Sequence, residues 1–194
     1  MKTNPPLILA STSKYRAALL KQLGWEFTTA SPGVDEDQIK GKGLSPKELA
    51  GQLSLLKAMA VSHNFPEAVV IGSDQVCAMG DKIFSKPGTE TAAIEQLLEM
   101  NGKVHQLLTA VTIATPKGQK TFVNTTTLHM RKLTRAQIES YIQADQPLDC
   151  AGSYKLEEQG IKLFSEIEMK DHTAIIGLPL IELCSHLIDE GFVL

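Results

Sequence analysis

The sequence predicts an α/β protein. Three observations carry that prediction: short apolar runs bounded by turn residues, amphipathic stretches at helical spacing between them, and capping signals where one gives way to the other. Leu7 to Ala10 reads as a buried strand, and Ser11, Thr12 and Ser13 then offer caps for a helix from about Lys14 to Leu23, stopped by Gly24. Ser45, Pro46 and Glu48 form a capping box that opens a second helix with Leu49, Leu53, Leu56 and Ala60 on one face. Ala68 to Gly72 is a second buried strand, and Met79-Gly80-Asp81-Lys82 turns the chain between short strands. A third helix runs from about Thr89 to Met100, with Ile94, Leu97 and Leu98 inward, until Asn101-Gly102 ends it. Val104 to Ala114 and Thr121 to Met130 read as strands joined around Pro116-Lys117-Gly118. Thr134 with Gln137 opens a helix to about Ala144, Ile161 to Ile167 reads as a strand, and a last helix carrying Leu183, Leu187 and Ile188 runs from about Leu180 to Glu190.

Composition narrows the class. The 194 residues suffice for one domain or two closely packed lobes, and they are read as a single domain. Hydrophobic residues make up 43% and charged residues 21%, which allows a core without structural disulfides or metals. The net charge of -3 and 5% aromatic content argue against a partner such as long nucleic acid. Cys77, Cys150 and Cys184 are odd in number and form no Cys-x-x-Cys pair, so they read as reduced, mostly buried thiols. The run from Leu7 to Ala10 is too short for a signal peptide or membrane span, so the expected location is the cytosol.

Five segments carry residues suited to chemistry. Ser11-Thr12-Ser13-Lys14-Tyr15-Arg16 is a strand-to-helix turn whose backbone N–H groups, hydroxyls and cations suit phosphate, or it is a capped helix with a basic first turn. Two cations at a helix N-terminus oppose the helix dipole, so their placement there needs a reason. Val34-Asp35-Glu36-Asp37 suits a divalent ion held by oxygen, or a solvated acidic turn. Asp74, in Ile71-Gly72-Ser73-Asp74-Gln75, follows an apolar strand, where it can act as a general base, bind a metal or cap a turn. Lys57 and Lys86 can neutralise phosphate or be solvated surface lysines. Asp149 to Glu157 is rich in small residues that permit close backbone approach, and Glu157 can point into a pocket.

In order along the chain, these pieces resemble the Maf family of nucleotide pyrophosphatases. The matching segments are Leu9 to Arg16, Val34-Asp35-Glu36, Lys57-Ala58, Gly72-Ser73-Asp74-Gln75-Val76, Ser85-Lys86-Pro87, Cys150-Ala151-Gly152-Ser153-Tyr154 and Gly177-Leu178-Pro179-Leu180. Each is weak alone; together, in this order, they are specific. The resemblance implies a mixed, twisted sheet flanked by helices, with two lobes and a central cleft, similar to inosine triphosphate pyrophosphatase. It implies a homodimer that uses a divalent metal (Mg2+, Mn2+ or Co2+). It places Arg16, Glu36, Lys57, Asp74 and Lys86 at active-site positions, with Asp74 as proton acceptor; the chemistry of the residues themselves puts a metal on Glu36 and Asp74 and turns the hydroxyls of Ser11 and Ser13 toward substrate. The bottom-up chemistry is compatible, since phosphoryl transfer needs mainly positioning and charge neutralisation.

Tyr15, Gln75 and Glu157 stand at the positions that separate the family's branches. An aromatic, Gln and Glu resemble the branch that prefers 7-methyl-GTP; the dTTP/UTP branch carries Arg, Thr and Gln. The chain departs from that branch's usual Ser-Pro-Trp-Arg with Ser13-Lys14-Tyr15-Arg16. A carboxylate only accepts hydrogen bonds, which matches the adjacent N1–H and 2-amino donors of guanine and not the carbonyls of uracil or thymine. The cationic methylated base can also stack on Tyr15, a cation–π contact worth about 0.5–2 kcal/mol. Two alternatives remain at this point: a dTTP/UTP pyrophosphatase, and a non-catalytic regulator of septum formation.

Overall fold

The computed structural model describes residues 4–40 and 43–194. The strands are β1 (Leu7–Ala10), β2 (Thr28–Thr29), β3 (Val69–Met79), β4 (Lys82–Phe84), β5 (Val104–Thr115), β6 (Gly118–Met130) and β7 (Phe164–Glu168). They form one mixed sheet in the order β2-β1-β3-β5-β6-β7, with β4 paired to β3. β1 runs parallel to both β2 and β3, while β3–β4 and β6–β7 are antiparallel. The helices are α1 (Lys14–Lys21), α2 (Asp37–Lys40), α3 (Pro46–Ser62), α4 (Glu90–Met100), α5 (Arg135–Asp145) and α6 (Leu180–Asp189), with 3-10 turns at Ala151–Ser153, Gln159–Leu163 and His172–Ile176. The expected mixed α/β class is therefore observed.

The chain gathers into two compact units. The first holds the chain up to Asp74 with Thr109–Asn124 and Asp171–Leu194; the second holds Gln75–Leu108 and Thr125–Lys170. In the first unit the period-two alternation of the strands sorts side chains onto two faces. Leu7, Leu9, Val69, Ile71, Val111 and Ile113 meet Leu19 and Leu20 of α1 and Leu180, Leu183 and Leu187 of α6. Ile8, Ala10 and Val70 face the other way, onto Ala58 and Val61 of α3. Burial on both faces is why β1 and the start of β3 read as unbroken apolar runs. Each fully buried leucine contributes about 1.5–3 kcal/mol of transfer free energy.

In the second unit α4 packs on α5 and on the turn at Ala151–Ser153. The capping boxes read from the sequence form as expected: Ser45 with Glu48, and Thr134 with Gln137. Among the described residues no helix is long and apolar enough to cross a membrane.

Several expected details change. β3 runs on past Gly72 to Met79, because its second half is buried and pairs with β4. The strand expected at Ile161 starts at Phe164, since Gly160 N–H turns back onto Lys155 O and leaves Ile161 exposed. On α3 the buried face is Leu49, Leu53, Lys57 and Val61, one position round from the expected one, so Leu56 and Ala60 are half-buried and Lys57 points inward. On α6, Leu183 and Leu187 are buried and Ile188 is exposed. Of the cysteines only Cys77 is buried; all are free thiols.

Candidate functional site

The site of the first unit begins with a missing side chain. A Cβ on Gly72 would lie 2.5 Å from Ala58 N and 2.9 Å from Ala58 Cβ, and would strike Ser54 O as well. Glycine therefore lets α3 lie directly on β3. Ser54 Oγ and Thr112 Oγ1, 2.9 Å apart, tie α3 to β5 beside this contact. With Ala58 pressed on Gly72, the neighbouring Lys57 is held over the end of the same strand segment.

Lys57 Nζ donates to Asp74 Oδ1 at 2.6 Å and lies 2.7 Å from Glu36 Oε1. Lys57 is only 9% exposed and Asp74 7%, so this is a buried ion pair, with Glu36 more open. Burial pushes the Asp74 carboxyl above the usual aspartate range; Lys57 and Arg16 oppose that shift and Glu36 adds to it. Burial likewise lowers Arg16, against the pull of Asp74 and Glu36, and a guanidinium stays protonated regardless. Arg16, Glu36, Lys57 and Asp74 thus form one electrostatic group.

Asp35 has a local job. Its Oδ1 accepts from Asp37 N–H at 3.1 Å and its Oδ2 from Gln38 Nε2 at 2.9 Å, starting α2 and turning Glu36 toward Lys57. Ser13 caps α1 by accepting from Arg16 N–H, and Ser11 Oγ accepts from Ser13 N–H at 3.1 Å. Tyr15 is half-buried, and Lys14 Nζ stands 5.1 Å from its ring centroid. That ring already carries a cation on one face.

Gln75, Lys86 and Glu157 belong to the second unit. Gln75 is half-buried on β3, Lys86 is exposed on the loop between β4 and α4, and Glu157 is exposed ahead of the turn at Gln159–Leu163. The Lys86 loop and the Gly152–Ser153 turn are clasped by one amide. Gln96 Nε2 donates to Ser85 O at 2.9 Å and Gln96 Oε1 accepts from Ser153 Oγ at 2.7 Å.

Sequence reasoning missed the residues that hold Arg16. Arg16 Nε donates to Gly177 O at 3.2 Å, and Ser73 Oγ donates to the same oxygen at 2.8 Å. Asp171 secures that loop by accepting from Thr173 and from Ile181 N–H. Ser73 and Gly177 lie in two of the family-like segments, but nothing in those segments links them to Arg16; Asp171 alone has a local signal, since Asp-x-Thr ahead of a short turn is an Asx-type cap.

Among the described residues no group of three His, Cys, Asp or Glu side chains is arranged to hold a metal. Glu36 and Asp74, drawn to one ammonium, still suit a hard divalent ion, which often takes only one or two carboxylates and completes its shell with phosphate and water.

A family model described as Maf-like protein matches residues 6–190. The 7-methyl-GTP pyrophosphatase of Bdellovibrio bacteriovorus is 49% identical over 177 residues, spanning 91% of this chain and 93% of that protein. A protein of the same name from Xanthomonas axonopodis pv. citri is 45% identical over 188 residues, spanning 97% and 98%. Among solved structures, the Staphylococcus aureus Ham1 protein aligns with a TM-score of 0.47 at 17% identity, over 64% of this chain and 71% of that one.

Proposed function

We propose, from the premise that this chain belongs to the Maf-like family, that it hydrolyses a nucleoside triphosphate to the monophosphate and pyrophosphate, with 7-methyl-GTP preferred. The observation that carries the reading is the buried Lys57, 2.6 Å from Asp74 and 2.7 Å from Glu36. A buried ionic group of this kind costs free energy to assemble and so points to chemistry.

In this mechanism Asp74 takes a proton from water as the water oxygen bonds to the α-phosphorus. The bond from that phosphorus to the bridging oxygen breaks, and pyrophosphate leaves. Burial makes Asp74 a stronger base than an ordinary aspartate, while Lys57 and Arg16 oppose that shift and favour the carboxylate. Arg16 and Lys57 also offset the charge of the phosphate oxygens, and Lys86 joins them in this reading. A divalent ion on Glu36 and Asp74, when bound, would neutralise phosphate charge further. Ser11 and Ser13 shape the turn that approaches the phosphates. Tyr15, Gln75 and Glu157 read the base, with Glu157 accepting from guanine. A cytoplasmic nucleotide pool and a homodimer complete the proposal.

The test is pyrophosphate release from 7-methyl-GTP, GTP, UTP and dTTP with magnesium or manganese. Asp74→Asn should lower kcat by about 10²–10⁴-fold, the range for removing a general base. Near wild-type turnover of that variant removes the role of Asp74. Preference for UTP or dTTP leaves the reaction standing and removes the base-pocket argument. Release from none of the four overturns the enzyme reading. Because the active form of Asp74 is the carboxylate and its pKa is raised, kcat/KM should fall on the acid side at a higher pH than an ordinary aspartate would give.

A further inference from the structure

We propose that Ser73 is a positioning residue that acts on Arg16 through the carbonyl oxygen of Gly177. Its role in turnover rests on the pyrophosphatase reading; the coupling of the two side chains does not.

Ser73 is fully buried on β3, one residue before Asp74. Its hydroxyl donates to Gly177 O at 2.8 Å, and Arg16 Nε donates to the same oxygen at 3.2 Å. A carbonyl oxygen has two lone pairs and can accept both. Gly177 suits this place for two reasons. Its φ of 123° lies where a side chain is strained, and a Cβ there would sit 3.1 Å from Arg16 Nε.

The loop that presents the carbonyl is braced. Asp171, only 3% exposed, accepts from Thr173 N–H at 2.9 Å and from Ile181 N–H at 2.7 Å. Thr173 Oγ1 accepts from Leu180 N–H at 2.9 Å, and Thr109 Oγ1 donates to Ala174 O at 2.8 Å. The loop side is thus held by its own hydrogen bonds, and Ser73 holds the oxygen from the strand side. With Nε committed to the carbonyl, the terminal NH2 groups of Arg16 are the ends directed to phosphate. Strand β3 therefore carries Asp74 and, through Ser73, also registers the arginine against it. Neither the capping pattern of α1 nor the charge of Arg16 would place the guanidinium this way.

A double-mutant cycle with Ser73→Ala and Arg16→Lys tests the link. Lysine keeps the charge but cannot place an Nε–H on the carbonyl. Ser73→Ala should lower kcat/KM by about tenfold in the parent and less than about twofold beside Arg16→Lys. An equal loss in both backgrounds means Ser73 serves packing alone and overturns the proposal. The second readout needs no turnover: solvent exchange of the Arg16 Nε–H by NMR should speed up in Ser73→Ala, and unchanged exchange overturns the proposal. Inactive wild-type protein would defeat the enzyme reading and leave this exchange measurement to decide the coupling. If Ser73→Ala fails to fold, Ser73→Cys, with a weak donor at similar size, takes its place in both measurements.

Discussion

Each unit buries a polar cluster, and the two clusters follow opposite rules. In the first, Lys57 lies between Asp74 and Glu36, with Arg16 close enough to be felt by both carboxylates. In the second, His105 Nε2 meets Tyr154 Oη at 3.0 Å, and Tyr154 Oη lies 3.9 Å from Cys77 Sγ, beneath Phe164. Burial lowers His105 to about 4, raises Cys77 to about 12 and pushes Tyr154 upward, so all three stay neutral near pH 7. Neutral groups can be buried with one hydrogen bond each, and rings of this kind pack like core. Charges need one another. The first cluster is the one we propose for reaction; the second packs as core, although it also contains a thiol, a phenol and an imidazole.

The largest effect should come from breaking the charged cluster. Lys57→Met removes the ammonium between two carboxylates and leaves a buried, unpaired Asp74. Breaking such a pair typically costs about 3–5 kcal/mol, and a matching loss in transition-state stabilisation is about 10²–10³-fold or more in kcat/KM. Asp74 also loses its strongest opposing cation, so the acid limb of the pH–rate profile should move to higher pH. A variant that turns over normally, with the limb unmoved, would mean that this cluster is structural and the contrast between the units is wrong.

The neutral cluster should show itself in stability. His105 has a folded pKa of about 4 against an ordinary value of 6.5. Between those values the unfolded chain binds a proton that the folded chain does not. Folding stability should therefore drop as pH falls from 6.5 toward 4, by about 3 kcal/mol from this group, and level off below. His105→Gln keeps a polar group opposite Tyr154 and cannot titrate, so denaturant midpoints of this variant should lack that part of the slope. Equal slopes in both proteins would mean His105 takes up its proton in the folded state, and its cluster would no longer be the neutral one.

How much of this was legible follows from range. Caps and turns act over three or four residues, so Ser45–Glu48, Thr134–Gln137 and the Met79–Lys82 turn could be read directly. The candidate set Arg16, Glu36, Lys57 and Asp74 was reached through motif order, and the burial of Lys57 ran against the usual reading of a lysine as surface. Periodicity alone missed it, because the apolar count on α3 favoured Leu56 and Ala60 over the face that Gly72 accepts. The Ser73–Gly177–Arg16 contact joins residues more than a hundred positions apart, and no local signal reports it. Gln96 is a similar case, since a glutamine on a helix surface carries no mark of the two loops it joins.

Gln96 gives the smallest and most discriminating test. Ser153 has a φ of 64° and is fully buried, a left-handed conformation that costs a non-glycine residue about 1–3 kcal/mol. The amide of Gln96 accepts the Ser153 hydroxyl and donates to Ser85 O, next to Lys86. Gln96→Leu leaves that hydroxyl without its partner and should cost about 1–3 kcal/mol in denaturant unfolding. Adding Ser153→Gly removes both the orphaned hydroxyl and the strained side chain, so part of the loss should return. Recovery would mean that the clasp chiefly supports the turn, as the neutral His105–Tyr154–Cys77 cluster supports its own surroundings. If the double variant stays as unstable as Gln96→Leu alone, the bond that matters is the one to Ser85, and the clasp chiefly holds the loop carrying Lys86.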